Sequence, residues 1–134
     1  MSVNYKVIQA KDFIKAKPSG ETDIEESKSV LGELAELAKI IPDSQILLDI
    51  RDAYGNLQLE ELKELILEFS EHRNAFKNKI AVLTRSDEQF DKAVFVEMCT
   101  NIDGFKVAAF SEFEEATDWL QSDDTAASMV IRRS

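Results

Sequence analysis

Three short apolar runs, each bounded by turn residues and each followed by a helical pattern, constrain this chain more than any other feature. They are Gln45–Ile50 (QILLDI), Lys79–Thr84 (KIAVLT) and Phe105–Phe110 (FKVAAF). Runs of this length read as strands, the first of them buried on both faces. Strands that alternate with helices imply a mainly parallel sheet with right-handed crossovers.

The helical segments are legible from their starts. Thr22 with Glu25, Ser86 with Gln89 and Ser111 with Glu114 match the capping box, in which each side chain satisfies a free amide of the helix end. After the first box, Ile24, Leu31, Leu34, Ala38 and Ile41 recur at helical spacing, with Val30 and Leu37 beside them, until Pro42 stops the helix. A second helix carries Leu59, Leu62, Leu65, Ile66 and Phe69 on one side and glutamates on the other. A third is expected over Asp87–Asn101 and a fourth closes at Leu120. Upstream, Tyr5–Ile8 and Asp12–Lys17 read as a hairpin, and Pro18, Ser19 and Gly20 break the chain. The expected order is ββαβαβαβα, an α/β fold. Residues 1–120 are expected to form a single domain and 121–134 a flexible tail, whose Met129–Arg133 end could add an edge strand.

Charge narrows the partners. The 134 residues hold 26 acidic and 16 basic side chains, a net charge of −10. Such a surface repels phosphate, and no Lys/Arg cluster forms a basic footprint, so nucleic acid is not expected as a partner. A single cysteine, Cys99, leaves no intrachain disulfide and fits a reducing compartment. The first ten residues lack the apolar core of a signal peptide, and no run approaches the roughly 18 apolar residues of a membrane span. A cytoplasmic protein, bacterial in style and without stable membrane insertion, is the expectation.

The segment ILLDIRDAYGNLQLEELKEL (Ile46–Leu65), the closing GFKVAAFSEFEEATDWL (Gly104–Leu120) and the order of elements together resemble the SpoIIAA-like proteins of the STAS-like group, related in fold to the anti-sigma factor antagonists. The resemblance spans Tyr5 to Leu120. It implies a mixed sheet of four to five strands with helices packed mainly on one face, and a non-catalytic role in binding or regulation. In the antagonists a serine in a turn at the start of the second helix is phosphorylated. The matching loop here, Asp52-Ala53-Tyr54-Gly55-Asn56, has no serine or threonine, so no phosphorylation site is carried over.

Candidate sites follow from the strand ends, where open α/β sheets bind ligands. The loop after the central strand offers Asp49, Arg51, Asp52, Tyr54 and Asn56; Thr84 and Arg85 end the next strand. Arg51 suits an anion and Tyr54 a ring or a partner. The bland reading is a turn in which Arg51 pairs with a neighbouring carboxylate. Asp49 with Thr84 raises a receiver-like phosphoacceptor. That chemistry also needs an acidic pair after the first strand and a lysine after the last, and Ile8-Gln9 and Ala109-Phe110 supply neither. His72 is the single histidine, and no metal-ligand spacing is present; neither a metal nor a cofactor is expected.

The third helix is apolar around much of its girth: Phe90, Ala93, Val94, Phe95, Val96, Met98 and Cys99. Either it is sandwiched in the core, or one side meets a partner or an apolar ligand. Phe95 and Met98, with Phe113 and Trp119 of the last helix, are the candidate interface or pocket. The leading expectation is a STAS-like module acting through protein–protein contact, with a second copy of the chain as one candidate partner. The alternative is a binder of an apolar or anionic small molecule.

Overall fold

Lys79–Leu83 is buried at every position, which only a central strand with both faces covered can be. The computed structural model describes residues 13–41 and 44–122. In chain order the elements are β1 (Phe13–Ala16), β2 (Gly20–Glu21), α1 (Ile24–Ile40), β3 (Gln45–Asp49), β4 (Ala53–Tyr54), α2 (Leu59–Glu71), β5 (Lys79–Leu83), α3 (Asp87–Ile102), β6 (Lys106–Phe110) and α4 (Phe113–Gln121). The main sheet runs β1-β3-β5-β6, every pair parallel. The expected strand Tyr5–Ile8, and with it the opening hairpin, lies outside the described residues. So does the stretch from 123 to 134.

Strand alternation splits the core in two. Ile14, Ile46, Ile80, Val82, Val107 and Ala109 face α1, α2 and α3. Leu47, Ala81, Leu83, Ala108 and Phe110 face the opposite way, onto Ala116, Trp119 and Leu120 of α4. Three helices therefore cover one face and one covers the other. On the first face Phe69 meets Phe76 and Phe105 at centroid distances of 5.5 and 5.8 Å. Tilted and edge-on pairs of this kind add about 0.5–1.5 kcal/mol each beyond their buried area. On the second face Trp119 rests on Phe110 at 5.6 Å. The end of α4 is tied to the sheet by Lys79, whose Nζ donates to the Trp119 carbonyl at 2.7 Å, and by Gln45, whose amide donates to the Leu120 carbonyl.

Two expected caps are corrected. The α1 box is Asp23 with Glu26, one residue later than Thr22 with Glu25. Thr22 is engaged elsewhere: its backbone N–H donates to the Tyr54 carbonyl at 2.8 Å, extending the short β2–β4 ladder. At α4 the N-cap is Glu112, with no side-chain capping bond, so Ser111 and Glu114 form no box. The β2–β4 pair was not visible in the sequence, which reads Arg51–Asn56 as plain loop. Leu59, placed on the apolar stripe of α2, is half exposed at 50%, because the buried face of α2 turns on Leu62 and Phe69.

Candidate functional site

The carboxyl ends of β1, β3 and β5 gather most of the polar residues singled out in the sequence. Asp49 ends β3 with a fully buried side chain. Its Oδ1 accepts from the Arg51 backbone N–H at 3.1 Å and from Arg51 Nε at 3.0 Å; its Oδ2 accepts from Arg51 Nη2 at 2.9 Å. Burial pushes the Asp49 carboxyl up. The Arg51 side-chain and backbone N–H groups, together with the Arg51 and Lys17 charges, outweigh it and hold the pKa below the ordinary carboxylate value. The same hydrogen bond raises the Arg51 guanidinium above its usual value.

Asp52 sits between two cations, Lys17 Nζ at 3.2 Å and Arg85 Nη2 at 2.8 Å. Asp49, Arg51, Asp52 and Arg85 thus form one cluster in which each charge already has a counter-charge. Thr84 stands apart. It is buried, and both its N–H and its hydroxyl donate to the Phe110 carbonyl, at 2.8 and 2.9 Å. That joins the ends of β5 and β6 and leaves the hydroxyl facing no solvent. Among the described residues no three His, Cys, Asp or Glu side chains gather as metal ligands.

Beside this cluster, on the face covered by α1, α2 and α3, lies an apolar cavity of about 190 Å³. Leu31, Leu48, Leu62, Phe69, Val82 and Val96 form much of its wall. The space exists because small residues, Ala53 and Ala93, stand where larger ones would fill it. Exposed Tyr54 and Gly55 belong to the lining and mark where it meets solvent. Lys92 is the one charged side chain in that lining among the described residues.

Sequence reading missed the residue that shapes the mouth. Gln89, taken as half of a capping box, receives the expected Ser86 Oγ cap on its backbone N–H at 3.1 Å. Its side chain does not return to Ser86. The amide oxygen accepts from the Arg85 N–H at 2.8 Å, and Nε2 donates to the Ile50 and Ala53 carbonyls, each at 2.9 Å. One side chain thereby pins the loop between β3 and β4 to the start of α3. The signal in the sequence, a Gln three residues after a Ser, fits an ordinary cap equally well.

No family model matches the chain, and no curated protein matches it. Among solved structures it resembles an uncharacterized protein of the DUF3478 family from Shewanella loihica PV-4, itself described as having a SpoIIAA-like fold. The match has a TM-score of 0.59 at 20% identity and covers 89% of this chain and 92% of that one. The chain has a SpoIIAA-like fold.

Within this SpoIIAA-like architecture the apolar pocket expected between the third and last helices is corrected. α3 and α4 pack on opposite faces of the sheet. Trp119 is core, 3% exposed, and Phe113 lies under Lys15, whose Nζ is 5.4 Å from the ring centre. Phe95 and Met98 are outside the cavity lining; α3 contributes Gln89, Lys92, Ala93 and Val96 instead. Met98 and Ile102 are exposed, at 59% and 84%, with half-buried Phe95 one turn before Met98. Of the remaining loop candidates, Tyr54 lines the cavity and Asn56 accepts from Lys92 Nζ through its Oδ1 at 3.2 Å. Among the described residues no helix is long and apolar enough to cross a membrane.

Proposed function

We propose that this SpoIIAA-like chain is a non-catalytic binding module whose ligand is a small, largely apolar molecule held between the sheet and α1, α2 and α3. The carrying observation is the cavity itself. The space, about 190 Å³, leaves apolar wall uncovered that packed side chains would otherwise bury at a gain of about 25 cal/mol per Å². Small residues at Ala53 and Ala93 sustain a space that larger apolar side chains would close at a gain in stability. Its size is comparable with an apolar cavity of ~150 Å³ that holds benzene. Its place, at the carboxyl ends of parallel strands, is where open α/β sheets bind ligands.

The test is a neutral, environment-sensitive dye titrated into the protein and into Ala93→Leu, which fills the cavity. The wild type is expected to bind the dye and the filled variant to lose it while remaining folded. Equal binding by both removes the cavity as the site.

A second reading, contact with a protein partner or a second copy of the chain, rests on the exposed pair Met98 and Ile102 on the outer side of α3. Met98→Glu with Ile102→Glu is expected to leave folding intact and to abolish any self-association seen by sedimentation. A wild type that sediments as a monomer at high concentration removes the homodimer.

A further inference from the structure

The lining of the cavity is largely apolar, its polar side chains, Thr22, Ser27, Tyr54 and Gln89, are neutral, and one residue in it is charged. Lys92 carries the only charge in it among the described residues, and no carboxylate lines it to balance that charge. The lysine is poorly committed. Its Nζ donates to the neutral Asn56 Oδ1 at 3.2 Å and lies 3.4 Å from Glu88 Oε2, a carboxylate whose side chain is 70% exposed. An i,i+4 pair so exposed contributes only a few tenths of a kcal/mol. The other cations near the strand ends are held more firmly: Arg51 by two bonds to buried Asp49, and Lys17 and Arg85 by Asp52. Thr22 and Ser27, which also line the space, donate their hydroxyls to the Tyr54 and Asp23 carbonyls. Lys92 is therefore the one charged donor lining the cavity, among the described residues, that a ligand can redirect without breaking a strong bond. Screening over about 8 Å at physiological salt confines the repulsion from the acidic surface largely to Glu88.

We infer that the ligand is a small amphiphilic monocarboxylate, its apolar part in the cavity and its carboxylate on Lys92 Nζ in place of Glu88. The inference rests on the reading of the cavity as a ligand site. The volume suits a hydrocarbon part on the order of six to eight carbon atoms, as an alkyl chain or a phenylalkyl group. Asn56, one of the loop candidates named from the sequence, holds the lysine at the mouth.

Isothermal titration of the full chain with octanoate, octan-1-ol, octylamine and 3-phenylpropionate at neutral pH tests the idea. The wild type is expected to bind octanoate about tenfold tighter than octan-1-ol, the gain of one charge-assisted hydrogen bond. Lys92→Met is expected to bring octanoate down to the level of octan-1-ol and to leave octan-1-ol unchanged. Tighter binding of either carboxylate supports the inference, and the tighter one assigns the aliphatic or the aromatic class. Binding of both carboxylates no tighter than octan-1-ol, a preference for octylamine, or a preference for a carboxylate that survives in Lys92→Met overturns the inference while the cavity reading stands. If none of the four binds, and the neutral dye does not bind either, the cavity reading fails and the inference with it.

Discussion

The Glu97 carboxylate accepts a hydrogen bond from the backbone N–H of Ala109 at 2.8 Å, so a helix side chain is tied directly to the backbone of β6. One turn on, Asn101 repeats the device: its Oδ1 accepts from the Val107 N–H and its Nδ2 donates to the Val107 carbonyl, both at 3.3 Å. Glu97 and Asn101, four residues apart on α3, thus fasten the helix to β6. Glu97→Ala is expected to destabilise the protein by about 1–3 kcal/mol by removing a buried acceptor. Glu97→Gln, which keeps an acceptor, should lose much less. Urea denaturation reads both effects.

The Asp49–Arg51 pair predicts a pH dependence. Its folded carboxyl lies below the unfolded value of about 3.9, so the stability it contributes is fully present above that pH. It is lost as the pH falls through the lower, folded value. Asp49→Asn should therefore be less stable at neutral pH by about 1–3 kcal/mol, since the bonds lost are to a charged group. It should also show a shallower decline in stability below pH ~4 than the wild type. Parallel declines in the two proteins would remove Asp49 as the source.

Gly55 is fixed by close approach. A Cβ there would collide with the Thr22 carbonyl oxygen, across the β2–β4 strap. Gly55→Ala is expected to cost roughly 1–3 kcal/mol. It should also speed amide exchange at Thr22, whose N–H donates to Tyr54. Unchanged exchange at Thr22 would show that the strap tolerates the methyl group.

Gln89→Ala should untie the loop from Ile50 to Ala53 by removing its two donated bonds and one accepted bond. The expected loss is about 1–2 kcal/mol, with faster exchange at the Arg85 amide. Gln89→Glu keeps the acceptor and loses both donors, so it should protect Arg85 while still releasing the loop.

Ala93→Leu should raise stability by about 1–2 kcal/mol, at ~0.8 kcal/mol per buried methylene less some strain. A fall in thermal midpoint would mean that the cavity is too narrow at α3 to take the side chain.

The apolar runs and their spacing determined the order of strands and helices, because five consecutive buried positions are incompatible with a surface strand. The telling misreadings lie where one side chain has two lawful uses. Thr22 suits a helix cap and also a strand end, and only the approach of Tyr54 decides between them. Gln89 suits a capping box and also the tethering of a distant loop. Phe95, Ala93 and Val96 are all apolar residues on one helix, and periodicity alone could not say which of them meets the sheet. Glu97 is the sharpest case: a glutamate on a helix reads as solvated, yet it is 2% exposed because β6 runs beside it.

By itself the sequence determined the four helices, the four strands of the parallel sheet and the loop at the carboxyl end of β3, since local propensity and hydrophobic period act over a few residues. Tertiary structure alone decided the cavity, the partners of Asp52, and the place of Lys92 at the cavity mouth. Each depends on which residues, tens of positions apart, the crossovers of the sheet bring within a few ångströms, and no short-range pattern in the chain encodes that distance.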